Sequence, residues 1–227
     1  MKIATIGAGN IAQAFVRHAA QAGFEVVISS KSGPAALTDL AASLGQGVRA
    51  GTVEEAVQAD LVLLSVPWDA VADVLSQVPA WKNQILVDTT NAIHFPDFTP
   101  LDLGAKTSSE IVAEHAPGAR VVKGFNTLAA ALLAASPSQS GGQRVVVVSG
   151  DDAAAKADVL ALISKMGFTG LDLGGLATGG RLQQFGGAFS GVNLVKLPAW
   201  CNTFSTRALP IPCPCRSTGT SVCIKLR

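Results

Sequence analysis

Apolar positions fall into short continuous runs alternating with helical stripes. Residues 2–6 form the first run, which breaks at Gly7-Ala8-Gly9. Ile11, Ala12, Phe15, Val16 and Ala19 then recur at three- and four-residue intervals as far as Gly23, a residue suited to ending a helix. The alternation repeats along the chain. Apolar runs at 25–29, 48–50, 61–65, 84–88 and 120–123 predict five more strands. Helical segments between them open at Pro34, at Thr52 with Glu55 three residues on, and at Thr107 with Glu110, the last two spaced as capping boxes. Six strands, each joined to the next by a stretch long enough for a crossover, predict an α/β chain. Its expected architecture is a Rossmann-type doubly wound parallel sheet.

The pattern weakens at two places. Residues 93–104 carry two prolines and two phenylalanines and read as a long loop, while residues 136–142 read as a polar linker. The linker divides a nucleotide-binding domain, 1–135, from a smaller C-terminal α/β extension, 136–200. That extension holds a strand at 144–149, a helix at 151–166 and a last strand at 170–173. Glycines at 174, 175, 179, 180, 186, 187 and 191 then punctuate the chain. Such a stretch is either a flexible linker or backbone shaped to approach a large planar ligand, and periodicity does not choose between them.

Composition sharpens the boundary at the far end. All four cysteines lie in the last 27 residues, which have no acidic residue and four basic ones; without them the chain has 13 basic against 16 acidic residues, net −3. Residues 201–227 therefore read as a disordered extension, or as a run out of frame with the rest, and their spacing matches no metal or redox template. With a net charge of +1 and no basic stripe, nucleic acid is not an expected partner. No apolar run reaches the length of a membrane span and no signal-peptide pattern opens the chain, so a cytoplasmic location is expected.

The first glycine turn carries the chemistry. Gly7 permits the turn, Gly9 allows close approach of a phosphate, and Ala12 takes the third small position of the dinucleotide fingerprint. The amides of Asn10 and Ile11, at the positive end of the helix dipole, are placed to receive a pyrophosphate. The end of strand 2 reads Ser29-Ser30-Lys31-Ser32, without the carboxylate that would bind a ribose 2′-hydroxyl. Ser30, Lys31 and Ser32 favour a 2′-phosphate and hence NADP(H) over NAD; a solvated polar turn is the alternative. In a doubly wound sheet the loop after strand 4 faces the glycine turn, so Val66 and Pro67 are expected to wall the nicotinamide side. Trp68 either lines the pocket or begins the next helix. Asn91, after strand 5, either positions a carboxamide or ends the strand.

A nicotinamide cleft implies hydride transfer. Reducing a carbonyl needs a proton donor, but the chain has no tyrosine. His18 and His115 read as surface or cap residues. His94 is the one histidine placed as an acid, with Lys123 the other protonatable candidate. So few acids suit an acceptor that needs none, such as a flavin or deazaflavin ring.

The ordered motifs around Gly7 and Gly9, Ser30-Lys31, Ser65 to Trp68, Asp88 to Asn91, Val122 to Thr127, Gly150 to Asp152 and Asp172 to Gly175 resemble those of the coenzyme F420-dependent NADP oxidoreductases. The NADP-binding fold is also similar to the cytosolic domain of the STEAP metalloreductases. The resemblance spans roughly residues 1–197. It implies that Ser30 and Lys31 hold the 2′-phosphate, that Val66 and Pro67 border the nicotinamide, and that Phe125, Asn126 and Thr127 lie near a deazaflavin. Hydride would then pass between stacked rings with no catalytic side chain and no metal, in a homodimer. Lys31, Ala92 and Gly124 depart from the arginine, proline and alanine such a pattern leads one to expect. The readings kept beside this one are an NADPH-dependent flavin or carbonyl/imine reductase and a non-catalytic NADPH-binding regulatory module.

Overall fold

The computed structural model describes residues 1–78, 80–94 and 96–198, together with the backbone of 224–225. Parallel strands β1 (Ile3–Ile6), β2 (Val26–Ser29), β3 (Val48–Ala50), β4 (Leu61–Leu64) and β5 (Ile85–Asp88) alternate with helices. These are α1 (Asn10–Gln21), α2 (Thr38–Leu44), α3 (Val53–Ala56) and α4 (Val71–Ser76). A two-stranded ribbon, β6 (Ile93–His94) with β7 (Thr99–Pro100), and helix α5 (Ser108–His115) lead to β8 (Arg120–Gly124). The spatial order β3-β2-β1-β4-β5-β8 reverses direction between β1 and β4, which makes that junction the switch point of a doubly wound sheet.

Alternation along the strands sorts the side chains into two layers. Ile3, Ile28, Leu61, Leu63 and Val87 pack against Phe15 of α1 and Leu44 of α2 on one face. Ala4, Ile6, Val62, Leu64 and Leu86 pack against Val71 and Leu75 of α4 and Val112 of α5 on the other. Both faces of the parallel sheet are thereby covered, which explains why its strands read as continuous apolar runs.

Beyond β8 come α6 (Ala130–Ala134), β9 (Ser138–Gln139), β10 (Gly142–Gly150), α7 (Ala153–Lys165), β11 (Thr169–Asp172), α8 (Gly179–Gln183) and β12 (Val195–Lys196). β10 pairs antiparallel with β8 and parallel with β11, so the single large sheet continues into this part of the chain. The backbone of β13 (Ile224–Lys225) pairs with β12. Expectations for 201–223 and 226–227, and for the cysteines, fall outside the described residues.

Several elements differ from the sequence pattern. The polar stretch 136–142 contains a hairpin rather than an extended linker, with Ser140 at φ 51° and Gly141 at φ 80°. Two consecutive positive φ values make the two-residue turn whose twist matches paired strands. The expected loop 93–104 contains the β6–β7 ribbon, formed by four residues too short to show alternation. Both expected capping residues act as such: Thr52 accepts from the Glu55 amide, and Thr107 with Glu110 completes a full capping box. Among the described residues no helix is long and apolar enough to cross a membrane.

Candidate functional site

The glycine turn sits tightly at the switch point. Gly7 has φ 108°, and a Cβ there would lie 2.0 Å from the carbonyl oxygen of Ser65, so the turns after β1 and β4 are in direct contact. Its amide donates to the Ser29 carbonyl at 2.9 Å, tying in the end of β2 as well. Gly9 is different. It is exposed, serves as the N-cap of α1, and a Cβ there would meet nothing within 4 Å. No side chain caps α1 and its first turn has no acidic residue, so the amides at Asn10 and Ile11 face the cleft without a protein carboxylate or hydroxyl. An open cradle at an uncapped helix N-terminus fits a pyrophosphate.

The end of β2 forms a tight turn, Gly33 N–H to Ser30 C=O at 3.1 Å, that leaves Lys31 and Ser32 exposed and Ser30 half-buried. Ser29 is buried and donates to the Thr5 carbonyl, which removes it from any ligand. The hydroxyl and ammonium groups beyond it fit a phosphate better than a ribose diol. Val66 is half-buried and Pro67 exposed on the loop after β4; Trp68 opens a short 3-10 turn, residues 68–70.

The ends of β5 and β8 hold a buried ionic cluster. Lys123 and Asp88 are each 0% exposed, with Nζ 3.2 Å from Oδ2. The same ammonium donates to the Thr90 carbonyl at 3.1 Å and to Ser108 Oγ at 3.1 Å, while Asp88 accepts from the Thr90 amide, the Thr90 hydroxyl and Ser109 Oγ. All three ammonium protons are engaged, so Lys123 holds the strand ends together and has none to give a substrate. That corrects its reading as a proton donor.

Above this cluster lie the polar residues of the two strand-end loops. Asn91 Nδ2 donates to the Asn126 carbonyl at 3.2 Å, and Asn126 Nδ2 donates to Asn91 Oδ1 at 3.0 Å. Thr127 is 7% exposed and its carbonyl accepts from Gly191. Phe125 is 1% exposed with its ring against Phe15 in the core, so it shapes the turn and cannot stack on a ligand through its side chain.

The histidines divide clearly. His18 is buried rather than at the surface: its Nε2 lies 2.8 Å from the Leu133 carbonyl and its ring stands edge-on to Phe168. Burial pushes its pKa below the ordinary imidazole value, and Arg144 acts in the same direction. His115 is exposed at the far end of α5, next to the entry of β8. His94, on the β6–β7 ribbon, is exposed and follows β5 on the ligand side. Among the described residues no group of His, Cys, Asp or Glu is arranged to hold a metal. A groove of about 460 Å³ lined by Lys2, Glu25, Gly47, Arg49 and Gln58 lies at the opposite edge of the sheet, near the starts of β1–β3.

Residues 2–92, which contain the glycine turn, the end of β2 and the loops after β4 and β5, match the family described as NADP oxidoreductase, coenzyme F420-dependent. A hypothetical protein from Sinorhizobium meliloti is 46% identical, with 86% of this chain and 96% of that one covered and a TM-score of 0.82. A putative F420-dependent NADP reductase from an Arthrobacter species is 28% identical over 78% of this chain and 86% of its own, with a TM-score of 0.65. Through residues 2–92 the chain belongs to the NADP oxidoreductase family described as coenzyme F420-dependent. It is also 30% identical to rat metalloreductase STEAP3 over 88% of its length, but spans about 38% of that longer protein.

The family match takes in the glycine turn and the basic end of β2. It does not account for everything buried beside them. Asp88, Ser108, Ser109 and Gln183 lie in stretches the sequence pattern marks, but it assigns them no role at the site; their partners there lie 15 to 57 positions away in the chain.

Proposed function

We propose that this NADP oxidoreductase passes hydride between NADP(H) and a deazaflavin of the coenzyme F420 type. The observation that carries the nucleotide half is the open, uncapped N-terminus of α1 at Gly9, beside an exposed Lys31 and no carboxylate at the end of β2. Asn10 and Ile11 would hold the pyrophosphate through their amides, Ser30, Lys31 and Ser32 the 2′-phosphate, and Val66, Pro67 and Asn91 would border the nicotinamide. When bound, that ring supplies the hydride.

The deazaflavin half rests on the family and on how few acids the site holds, exposed His94 being the one left on the ligand side. NADPH, a proton and the oxidised deazaflavin give NADP⁺ and the two-electron-reduced deazaflavin, and the proton can come from water. The chain's own residues need only bind, orient and exclude competing acceptors. Lys123 is saturated, His18 is in the core, and His115 lies at the wrong end of the sheet. Asn126 and Thr127 would face the second ring.

An acceptor screen with NADPH tests this. Loss of NADPH absorbance with reduced deazaflavin appearing supports the reading. Turnover with free flavin, aldehyde or imine, and none with deazaflavin, replaces it with a flavin or carbonyl/imine reductase. Tight NADPH binding with no oxidation by any acceptor makes the protein a nucleotide-binding regulator.

A further inference from the structure

Gln183 is a neutral amide with 0% exposure, placed by the short helix α8 of the glycine-rich segment. Its Nε2 donates to Asn126 Oδ1 at 3.3 Å and to the Val147 carbonyl at 3.2 Å, its Oε1 accepts from Ser149 Oγ, and its main-chain carbonyl accepts from Asn126 Nδ2 at 2.8 Å. Asn126 in turn is locked to Asn91 by the reciprocal pair already described. Four polar side chains, from the loop after β5, the loop after β8, α8 and β10, thus form one closed chain of donors and acceptors. Reversing the Gln183 amide would set oxygen against the Val147 carbonyl and Asn126 Oδ1, so each orientation is imposed by its neighbours.

The segment that carries Gln183 is shaped to bring it there. A Cβ at Gly179 would lie 2.3 Å from Ser149 Oγ and 2.5 Å from the Leu173 carbonyl, so α8 can sit at this depth only with glycine in its first turn. Around it, Arg181 donates to the Ala105 carbonyl at 2.6 Å, Thr107 Oγ1 to that of Leu176 at 3.3 Å, and the Gly191 amide to that of Thr127 at 2.8 Å. These contacts fasten the glycine-rich run to the loop after β8 and to the segment that opens α5.

We propose that Gln183 is a positioning residue that sets the Asn126–Asn91 pair, and through it the surface against which the nicotinamide half of the cofactor rests. This rests on the reading that NADP(H) lies over the ends of β1, β4 and β5. The 2′-phosphate half, at the end of β2, touches none of the four residues, so loss of Gln183 disturbs one half of the cofactor and spares the other.

The test separates those halves without needing the second substrate. Wild-type protein, Gln183→Met and Ser149→Ala are each titrated with 2′,5′-ADP and with NADPH, following the fluorescence of the bound nicotinamide and the thermal midpoint. For Gln183→Met the affinity for 2′,5′-ADP stays within about twofold of wild type while the fluorescence enhancement of bound NADPH falls by about half or more, as expected for a ring freed from its support. Ser149→Ala, which deletes one hydroxyl from the far end of the chain of bonds, shifts the enhancement the same way by less, and decides the question should Gln183→Met fail to fold. A lowered thermal midpoint with unchanged nicotinamide fluorescence in both variants overturns the inference and makes the amide chain purely structural. Equal weakening of 2′,5′-ADP and NADPH also overturns it. Wild-type protein that binds neither ligand removes the cofactor reading and this inference together.

Discussion

The rings of Phe125 and Phe15 meet edge to face, with centroids 5.2 Å apart and planes at 83°, although Phe125 holds a backbone φ of 60° that few residues other than glycine adopt. Packing against the helix that opens the cofactor cradle therefore overrides a local preference. Removing the ring in Phe125→Ala is expected to cost about 3–5 kcal/mol of unfolding free energy. Phe125→Gly loses the same ring but adopts the turn without strain, so it should be the more stable of the two by about 1 kcal/mol. Urea unfolding of both variants checks the order; alanine above glycine would show that the backbone at Phe125 is unstrained.

Gly7 and Gly9 make a matched pair of opposite predictions. At Gly7 a methyl group would enter the Ser65 carbonyl and the residue needs positive φ, so Gly7→Ala should fold poorly or lose several kcal/mol, on the order of the cost of strain and overpacking combined. At Gly9 a methyl group meets no protein atom and φ is −72°, so Gly9→Ala should keep its thermal midpoint. Its NADPH affinity should fall nonetheless, because the added carbon fills the phosphate approach. Calorimetric melting beside NADPH titration separates the effects, and unchanged affinity in Gly9→Ala would move the cofactor elsewhere.

Lys31 bears on cofactor choice. Lys31→Glu replaces a cation with a carboxylate where the 2′-phosphate is assigned, and should weaken NADPH by about 10-fold or more, given the strength of charge-assisted bonds to phosphate. NADH, which lacks that phosphate, should change much less. Equal loss for both nucleotides would sink the assignment of Ser30 and Lys31.

The parallel half of the fold was legible because its signals are local. Gly7 and Gly9, the Thr52 and Thr107 caps and the apolar runs of β1, β4 and β5 each declare themselves within a few residues. What was hidden depends on partners distant in sequence. Lys123 looked like a free acid because Asp88 and Ser108 stand 35 and 15 positions away; Gln183 looked like part of a glycine-rich run because Asn126 stands 57 away. Phe125 sat inside a recognisable motif, yet only packing shows its ring turned to the core. The Ser140-Gly141 turn did carry a local signal, overshadowed by a polar composition that also suits a linker.

Changes to the buried Lys123–Asp88 pair should be non-additive. Lys123→Met leaves Asp88 as an unpaired buried carboxylate and Asp88→Leu leaves Lys123 likewise, so each single change is expected to cost about 3–5 kcal/mol. The double variant removes both charges and should recover part of that loss, because the desolvation of two ions disappears with their attraction. A double-mutant cycle by urea unfolding measures the coupling; additive losses would mean that the serine and threonine hydrogen bonds, not the ion pair, hold these strand ends.

His18 ties stability to pH in a direction that can be worked out. Its folded pKa lies below the ordinary value of 6.5, chiefly because burial disfavours the imidazolium and secondarily because Arg144 repels it, against a raising contribution from the Leu133 carbonyl. In the unfolded chain the imidazole takes up a proton as pH falls through 6.5, while the folded protein resists, so the unfolded state binds more protons. Stability from neutral His18 is therefore complete above pH 6.5 and declines as pH drops from there toward the lowered folded value. The carboxylates Glu54 and Asp97, whose pKa values are also lowered, act only below their ordinary values of 4.5 and 3.8, outside this window. Urea unfolding between neutrality and pH 5.5 should show the decline in wild type and a flatter profile in His18→Leu, at some cost in absolute stability from the lost Leu133 bond. A profile unchanged by the substitution would place the titrating group elsewhere.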